Sequence, residues 1–160
     1  MTAPANWRGA LQALGPLLGL AAIYLLFALI APDSFRSGAN LATIARQTAI
    51  VGVAALGMTL IMIGGGIDLS VGSVVALGSV VVAWLLQEAH LSPLVAALGG
   101  VLAGGVVGLV SGVIITQLRV VPFIVTLGMM LAVRGLAKAL AHEQKIDAPL
   151  TWLQDLLATL

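Results

Sequence analysis

Long stretches without a charged side chain are the feature that most restricts the fold of this chain. Asp, Glu, Lys and Arg are absent from residues 9–32, 47–67, 69–87, 89–118 and 120–133. Charged residues make up only 8% of the sequence, whereas soluble domains contain about 25%. Runs this long and this numerous exceed what a globular core needs and are typical of transmembrane segments. The chain is therefore predicted to be an integral membrane protein.

The apolar runs predict helices, because the strands of a membrane barrel would alternate polar and apolar residues over about ten positions. The fold class is predicted to be all-α, a polytopic membrane protein with about five transmembrane helices and a glycine-rich break between spans two and three. The predicted spans are 10–31, 45–66, 69–87, 93–117 and 120–141. Asn40 is expected to cap the helix of the second span. After Asp147, leucines at helical spacing predict an amphipathic surface helix over 147–160.

The polar residues exclude several kinds of site. There is no cysteine, and the two histidines, His90 and His142, are far apart in the sequence, so clustered metal ligands are not expected. A net charge of +1 from scattered residues provides no basic patch for nucleic acid. A phosphate loop needs a lysine after its glycines, and no lysine occurs before Lys138. We therefore expect no catalytic residue, metal or bound cofactor.

The stretch IGGGIDLSVGS at 63–73 interrupts this apolar sequence with a lone carboxylate, Asp68. Glycines permit a sharp turn, and a carboxylate before a helix can accept the amide hydrogens of Ser70 or Val71. Irregular backbone and an ionisable group inside a membrane can also line a water-accessible path. Both interpretations remain open, and one residue can serve both. The glycines of the predicted helix break are Gly64, Gly65 and Gly66.

The fourth predicted span carries glycine at every fourth position. These residues are Gly100, Gly104, Gly108 and Gly112. A stripe without side chains lets two helix backbones approach closely, so the four glycines are predicted to form a helix-packing surface. Val107 is expected to lie on a neighbouring face.

Two longer stretches resemble a known family. The sequence GVAALGMTLIMIGGGIDLSVGSVVALGSVVVAWLL at 52–86 closely resembles the signature of ribose-type ABC transporter permeases, and VVPFIVTLGMMLAVRGLAKAL at 120–140 resembles that family's next motif. The resemblance implies a multi-pass subunit of the bacterial inner membrane, surrounded by membrane lipid. It also implies two partners, a cytoplasmic ATP-binding subunit that hydrolyses ATP and a periplasmic sugar-binding protein.

The resemblance predicts a permease subunit for a monosaccharide such as ribose, xylose or galactose. A path for a neutral, hydroxyl-rich solute needs scattered polar groups and no catalytic residue. The candidate path residues are Thr59, Asp68, Ser70 and Ser73. Two alternatives remain: a permease for nucleosides or branched-chain amino acids, and a structural subunit of a membrane assembly.

Permeases of this family are about twice as long as the present chain. The sequence is therefore expected to be the amino-terminal half of an importer's transmembrane domain, working with a second permease copy or a missing carboxy-terminal half. The resemblance places the amino terminus in the cytoplasm. The distribution of Lys and Arg favours the opposite orientation, because five cations would otherwise lie outside and only Arg8 and Arg119 inside; the five are Arg36, Arg46, Arg134, Lys138 and Lys145. We follow the orientation that the resemblance implies, since two of the five lie in a short helical lead-in and two can snorkel.

Overall fold

The protein is all-α in a computed structural model that describes residues 7–152, with side chains from residue 14 onward. The helices are α1 (Trp7–Ile30), α2 (Gly38–Ile63), α3 (Val71–Gln87), α4 (Pro93–Leu118) and α5 (Pro122–Leu140). A single 3-10 turn, Asp33–Arg36, lies between α1 and α2. The described residues contain no strand. The predicted all-α class is thus confirmed.

Three helices are long and apolar enough to cross a membrane: α2, α4 and α5. Two shorter apolar stretches, Leu14–Ile30 and Val71–Gln87, accompany them. The 17 residues of α3 measure about 25 Å, less than the ~30 Å of a hydrocarbon core. By length, α3 is therefore not a candidate span on its own, and its part in a crossing stays a prediction.

The chain divides into two compact units at Val51 and Gly52. In the first unit, α1 contacts the 3-10 turn through aromatic side chains. The ring of Phe35 lies 5.5 Å from that of Tyr24 and 6.1 Å from that of Phe27, measured between centroids. Arg36 and Asp33 form an ion pair on the same turn. These contacts fix the reversal of the chain after α1.

The start of α2 differs from the sequence expectation. The helix begins at Gly38, and Ser37 occupies the capping position with extended backbone angles. The hydroxyl of Ser37 accepts the amide hydrogen of Asn40 at 3.2 Å. The side-chain amide of Asn40 instead donates to the carbonyl oxygen of Phe35 at 2.7 Å. The expectation that Asn40 caps this helix was wrong, because a serine three residues earlier already satisfies that end.

The second unit is built around α3, which packs against both α4 and α5. Its buried core consists of Leu77, Val107, Val133 and Ala137. Val107 therefore faces the core, and the expectation that it lies outside the packing surface was wrong. Each of the three helices contributes to this cluster, so α3, α4 and α5 pack together through one apolar surface.

The side-chain contacts define the direction of the packed helices. A Cβ atom added to Gly104 would lie 3.3 Å from Val74, near the start of α3, and one added to Gly99 would strike Leu85, near its end. Thus α4 runs antiparallel to α3. Ser73 contacts Met130, and Trp84 and Leu140 line one cavity, so α5 runs parallel to α3.

The four glycines of the α4 stripe do not share one environment. Gly100 and Gly104 face α3; a Cβ atom on Gly100 would lie 2.7 Å from a methyl group of Val82 and 3.2 Å from the carbonyl oxygen of Gly78. A Cβ atom on Gly108 or Gly112 would meet nothing within 4 Å among the described residues. For Gly108 and Gly112, a packing role stays a prediction.

After α5, the backbone bends at His142 and Glu143, which have φ values of 49° and 57°. Asp147 forms an ion pair with Lys145, and residues 147–151 are not helical. Pro149 disfavours helical backbone in the residue before it. Most of the amphipathic helix predicted for 147–160 lies outside the described residues, since these end at Trp152.

Candidate functional site

A glycine-dependent turn ends α2. The amide of Gly65 donates to the carbonyl oxygen of Met62, and the amide of Gly66 donates to that of Ile61, both at 3.0 Å. This pair of bonds is the Schellman arrangement, which needs a left-handed residue just beyond the helix. Gly65 supplies it with φ of +79°. A residue with a Cβ atom would be strained at this position.

Asp68 organises the segment that follows. Its Oδ1 atom accepts two hydrogen bonds from Ser70, one from the amide at 2.7 Å and one from the hydroxyl at 2.6 Å. Ser70 is the residue immediately before α3 and is only 2% exposed. Its carbonyl oxygen then accepts the amide hydrogen of Val74 at 2.9 Å. The carboxylate thus satisfies buried donors at the start of α3.

The non-helical segment is also attached to α5. The hydroxyl of Thr126 donates to the carbonyl oxygen of Ile67 at 3.0 Å. One turn further along, the hydroxyl of Ser73 donates to the carbonyl oxygen of Met130 at 2.8 Å. A Cβ atom on Gly66 would lie 3.6 Å from Pro122, the first residue of α5. Residues 66–73 therefore run beside about two turns of α5.

These contacts place the end of the break beside the start of α5. Ile67 is bound to Thr126 in the second turn of α5, and Gly66 lies next to Pro122, its first residue. Non-helical backbone inside a membrane is stable only where protein or water satisfies its polar groups. Thr126 satisfies one such group, the carbonyl oxygen of Ile67.

Thr126 gives a direct measure of this attachment. We expect Thr126→Val to lower the free energy of unfolding by about 0.5–1.5 kcal/mol, the net contribution of a typical hydrogen bond, because the replacement keeps the shape but removes the donor to the carbonyl oxygen of Ile67. Thr126 is 3% exposed. Thermal unfolding of the purified protein in detergent measures the change.

Thr116→Val is the matched control. Thr116 is exposed, and its hydroxyl donates to the carbonyl oxygen of Gly112 in its own helix, so its removal should change the unfolding free energy by less than ~0.5 kcal/mol. Equal effects of the two replacements would show that the bond between Thr126 and Ile67 contributes nothing to holding the break.

The candidate path residues occupy different surroundings. Asp68 and Ser70 are joined by hydrogen bonds, and Ser73 is 2% exposed and bound to α5. Thr59 is exposed on α2, where its hydroxyl donates to the carbonyl oxygen of Ala55. Only Asp68 and Ser70 are directly brought together. A lining role for all four stays a prediction.

Sequence reasoning missed Thr126, which contacts the break as closely as any predicted residue. The available signal was a hydroxyl in the first turns of an apolar helix that begins with proline. The described residues contain no group of three or more His, Cys, Asp or Glu side chains that could hold a metal ion. The chemistry of the site is therefore that of one carboxylate, several hydroxyls and exposed backbone carbonyls.

Comparison with known proteins identifies the family. Residues 40–151 match the family described as "Branched-chain amino acid transport system / permease component". This range contains all but the first two residues of α2, the break and all of α3, α4 and α5. No solved structure matches the chain.

Several similar curated proteins have names that describe sugar permeases. The ribose import permease RbsC of Bacillus subtilis is 41% identical over 82% of this chain and 40% of its own length. The L-arabinose permease AraH of Azospirillum brasilense is 42% identical over 84% of this chain and 40% of its own length. The D-allose permease AlsC of Escherichia coli is 33% identical over 79% and 39%. The chain spans about 40% of the length of these relatives. Together with its apolar helices, these matches show that the chain is a multi-pass membrane protein of the ABC transporter permease family.

Proposed function

We propose that this chain forms part of the membrane subunit of an ATP-driven monosaccharide importer in the bacterial inner membrane. The observation that carries the proposal is its 41–42% identity to ribose and arabinose permeases across more than four fifths of its residues. The matched residues include the break, where Asp68 binds Ser70 and Thr126 of α5 binds the backbone of Ile67. A pentose or hexose is the substrate class that these relatives' names favour.

The break supplies polar groups suited to a neutral, hydroxyl-rich solute. Both bonds from Ser70 end on Oδ1 of Asp68, which leaves Oδ2 to accept a hydrogen bond from water or from a sugar hydroxyl. The hydroxyls of Ser70 and Ser73 already donate within the protein. They therefore shape the segment, and Asp68 is the group proposed to face the path.

The driving reaction is proposed to occur on another subunit. No lysine precedes Lys138 in the sequence, and the glycine-rich stretch lacks the pattern of a phosphate loop. ATP would be hydrolysed by a cytoplasmic partner, while a periplasmic binding protein delivers the sugar. The permease contributes alternating access between the two sides and no covalent chemistry. A second permease copy or further membrane segments would complete the path.

Reconstituted transport tests this proposal. The permease, together with the further membrane segments that complete its path, is co-expressed with its partner ATPase and binding protein and reconstituted into proteoliposomes. Uptake of radiolabelled ribose, xylose, galactose and leucine is measured with and without ATP on the side of the ATPase. We expect uptake of at least one sugar that requires both ATP and the binding protein. Uptake that persists without ATP, or the absence of sugar uptake from a correctly assembled complex, would contradict the assignment.

A permease for branched-chain amino acids or nucleosides is the second candidate. The description of the matching family names branched-chain amino acid transport, which is the observation that favours it. The leucine arm of the same assay, extended to a labelled nucleoside, separates the candidates. Leucine or nucleoside uptake without sugar uptake would establish the alternative.

A further inference from the structure

A groove between α3 and α5 combines cationic and apolar walls. Its volume is about 500 Å3. The α3 side is formed by Gly72, Ala76 and Val80, and the α5 side includes Arg134, Ala137 and Lys138. None of these residues belongs to the helix break or to the candidate path.

The polarity of the groove changes from one end to the other. Gly72 and Ala76 lie in the first turns of α3, level with the break, and form an apolar inner end. Lys138 and Gln144 lie at or beyond the last turn of α5 and form a polar outer end. Arg134 lies one turn inward from Lys138, so two cations face the same groove. An elongated molecule with an anionic head and an apolar tail matches this gradient.

Neither of these two cations forms an ion pair with a described residue. Within residues 14–152, the ion pairs are those of Arg36 with Asp33 and of Lys145 with Asp147. Arg134 and Lys138 are exposed side chains on a candidate membrane span. A cation near a span end is stabilised when it reaches an anion at the membrane interface. The carboxylate of Glu143 also lines the groove and would weaken binding of an anion.

We propose that this groove binds one anionic phospholipid, with its phosphate on Arg134 and Lys138 and an acyl chain beside Ala76 and Gly72. A guanidinium and an ammonium one turn apart can both donate to phosphate oxygens. The lipid contacts α3 and α5 together and stabilises their packing. A soluble phosphate would use the two cations alone and leave the apolar end empty.

Lipid titration tests the proposal. The purified protein in neutral detergent is titrated with dioleoyl phosphatidylglycerol, with dioleoyl phosphatidylcholine and with inorganic phosphate, and bound species are counted by native mass spectrometry. We expect phosphatidylglycerol to bind at least about tenfold more tightly than phosphatidylcholine, and phosphate not to be retained, because two cations each contribute to recognition of net negative charge. Equal retention of the two lipids, or retention of phosphate at the same concentration, would overturn the proposal.

Substitutions locate the site. Arg134→Gln and Lys138→Gln should each weaken phosphatidylglycerol binding by about fivefold, since a basic residue near an anionic lipid contributes about 1 kcal/mol. Glu143→Gln should strengthen it, because a repelling carboxylate is removed. Lys145→Gln is the control of equal charge, and its effect should stay below about twofold, since this lysine already pairs with Asp147.

A steric variant separates this site from general surface charge. Ala76→Leu places a larger apolar side chain in the groove without changing charge and should reduce retention of phosphatidylglycerol. Ala76 is exposed, so the replacement leaves the buried core unchanged. Unchanged retention in Ala76→Leu, or equal losses in Lys145→Gln and Lys138→Gln, would show that the groove is not the binding site.

Discussion

Asp68→Leu should abolish uptake and strongly lower the amount of permease in the membrane. The replacement removes the acceptor of both the amide and the hydroxyl of Ser70, a residue that is 2% exposed. Each buried donor left without an acceptor costs about 1–3 kcal/mol, so we expect a loss of about 3 kcal/mol or more in unfolding free energy. Transport assays, immunoblotting of membranes and thermal unfolding in detergent measure the three effects.

Asp68→Asn distinguishes the two roles of this residue. The oxygen of an Asn side chain can still accept a hydrogen bond from Ser70, so most of the membrane abundance should remain, although bonds to a neutral acceptor are weaker. Loss of uptake at normal abundance would assign the charge a role in transport. Full uptake would restrict Asp68 to capping. If Asp68→Leu leaves both abundance and uptake unchanged, neither capping nor path lining is correct.

Asp33→Leu is the matched control for the loss of a carboxylate. Asp33 pairs with Arg36 on an exposed turn, and its side chain is 94% exposed. Exposed ion pairs contribute about 0–1 kcal/mol. Its replacement should therefore change unfolding free energy far less than Asp68→Leu. Comparable effects would point to a general requirement for negative charge.

The break was predictable because its determinants are local. Three successive glycines permit the left-handed angle that Gly65 adopts, and a carboxylate two residues before Ser70 can reach its amide without distant parts of the chain. The helical structure of the apolar runs was equally predictable, since long continuous apolar runs have few other stable structures in lipid. These features depend on neighbours within a few positions.

The attachment of the break to α5 could not be predicted from local sequence. Thr126 and Ile67 are 59 positions apart, and nothing local to either residue specifies the other. The family resemblance indicated that both stretches matter but not that they touch. The capping residue of α2 was predicted wrongly for a simpler reason. Ser37 and Asn40 are both good capping residues, and the geometry of the preceding turn selects Ser37.

The glycine stripe shows how a regular spacing can mislead. An α-helix turns about 100° per residue, so each step of four residues advances the position by about 40° around the helix. Gly104 already faces Val74 in the first turn of α3, so Gly108 and Gly112 lie past the start of that helix as well as about 40° and 80° further around α4. Gly100 and Gly104 face that helix, whereas Gly108 and Gly112 do not, and Val107 enters the core instead.

The different surroundings of these glycines predict opposite effects on stability for two replacements in one stripe. Gly100→Leu should reduce unfolding free energy by about 3 kcal/mol, at the upper end of the usual cost of overpacking. Its Cβ atom would lie 2.7 Å from a methyl group of Val82 and 3.2 Å from the carbonyl oxygen of Gly78. The side chain of Val82 can rotate, but the backbone of Gly78 cannot move without displacing α3. The two helices must therefore separate.

Gly108→Leu provides the contrast, because its Cβ atom would meet no described residue within 4 Å. We expect its thermal unfolding in detergent to match the wild type within about 0.5 kcal/mol, as for an exposed position. Crosslinking between subunits, performed in membranes on the same variant, reports whether Gly108 packs against another subunit. Normal stability together with a loss of these crosslinks would place Gly108 and Gly112 at a subunit interface. If Gly100→Leu and Gly108→Leu destabilise the protein equally, the packing of α4 on α3 described here is incorrect.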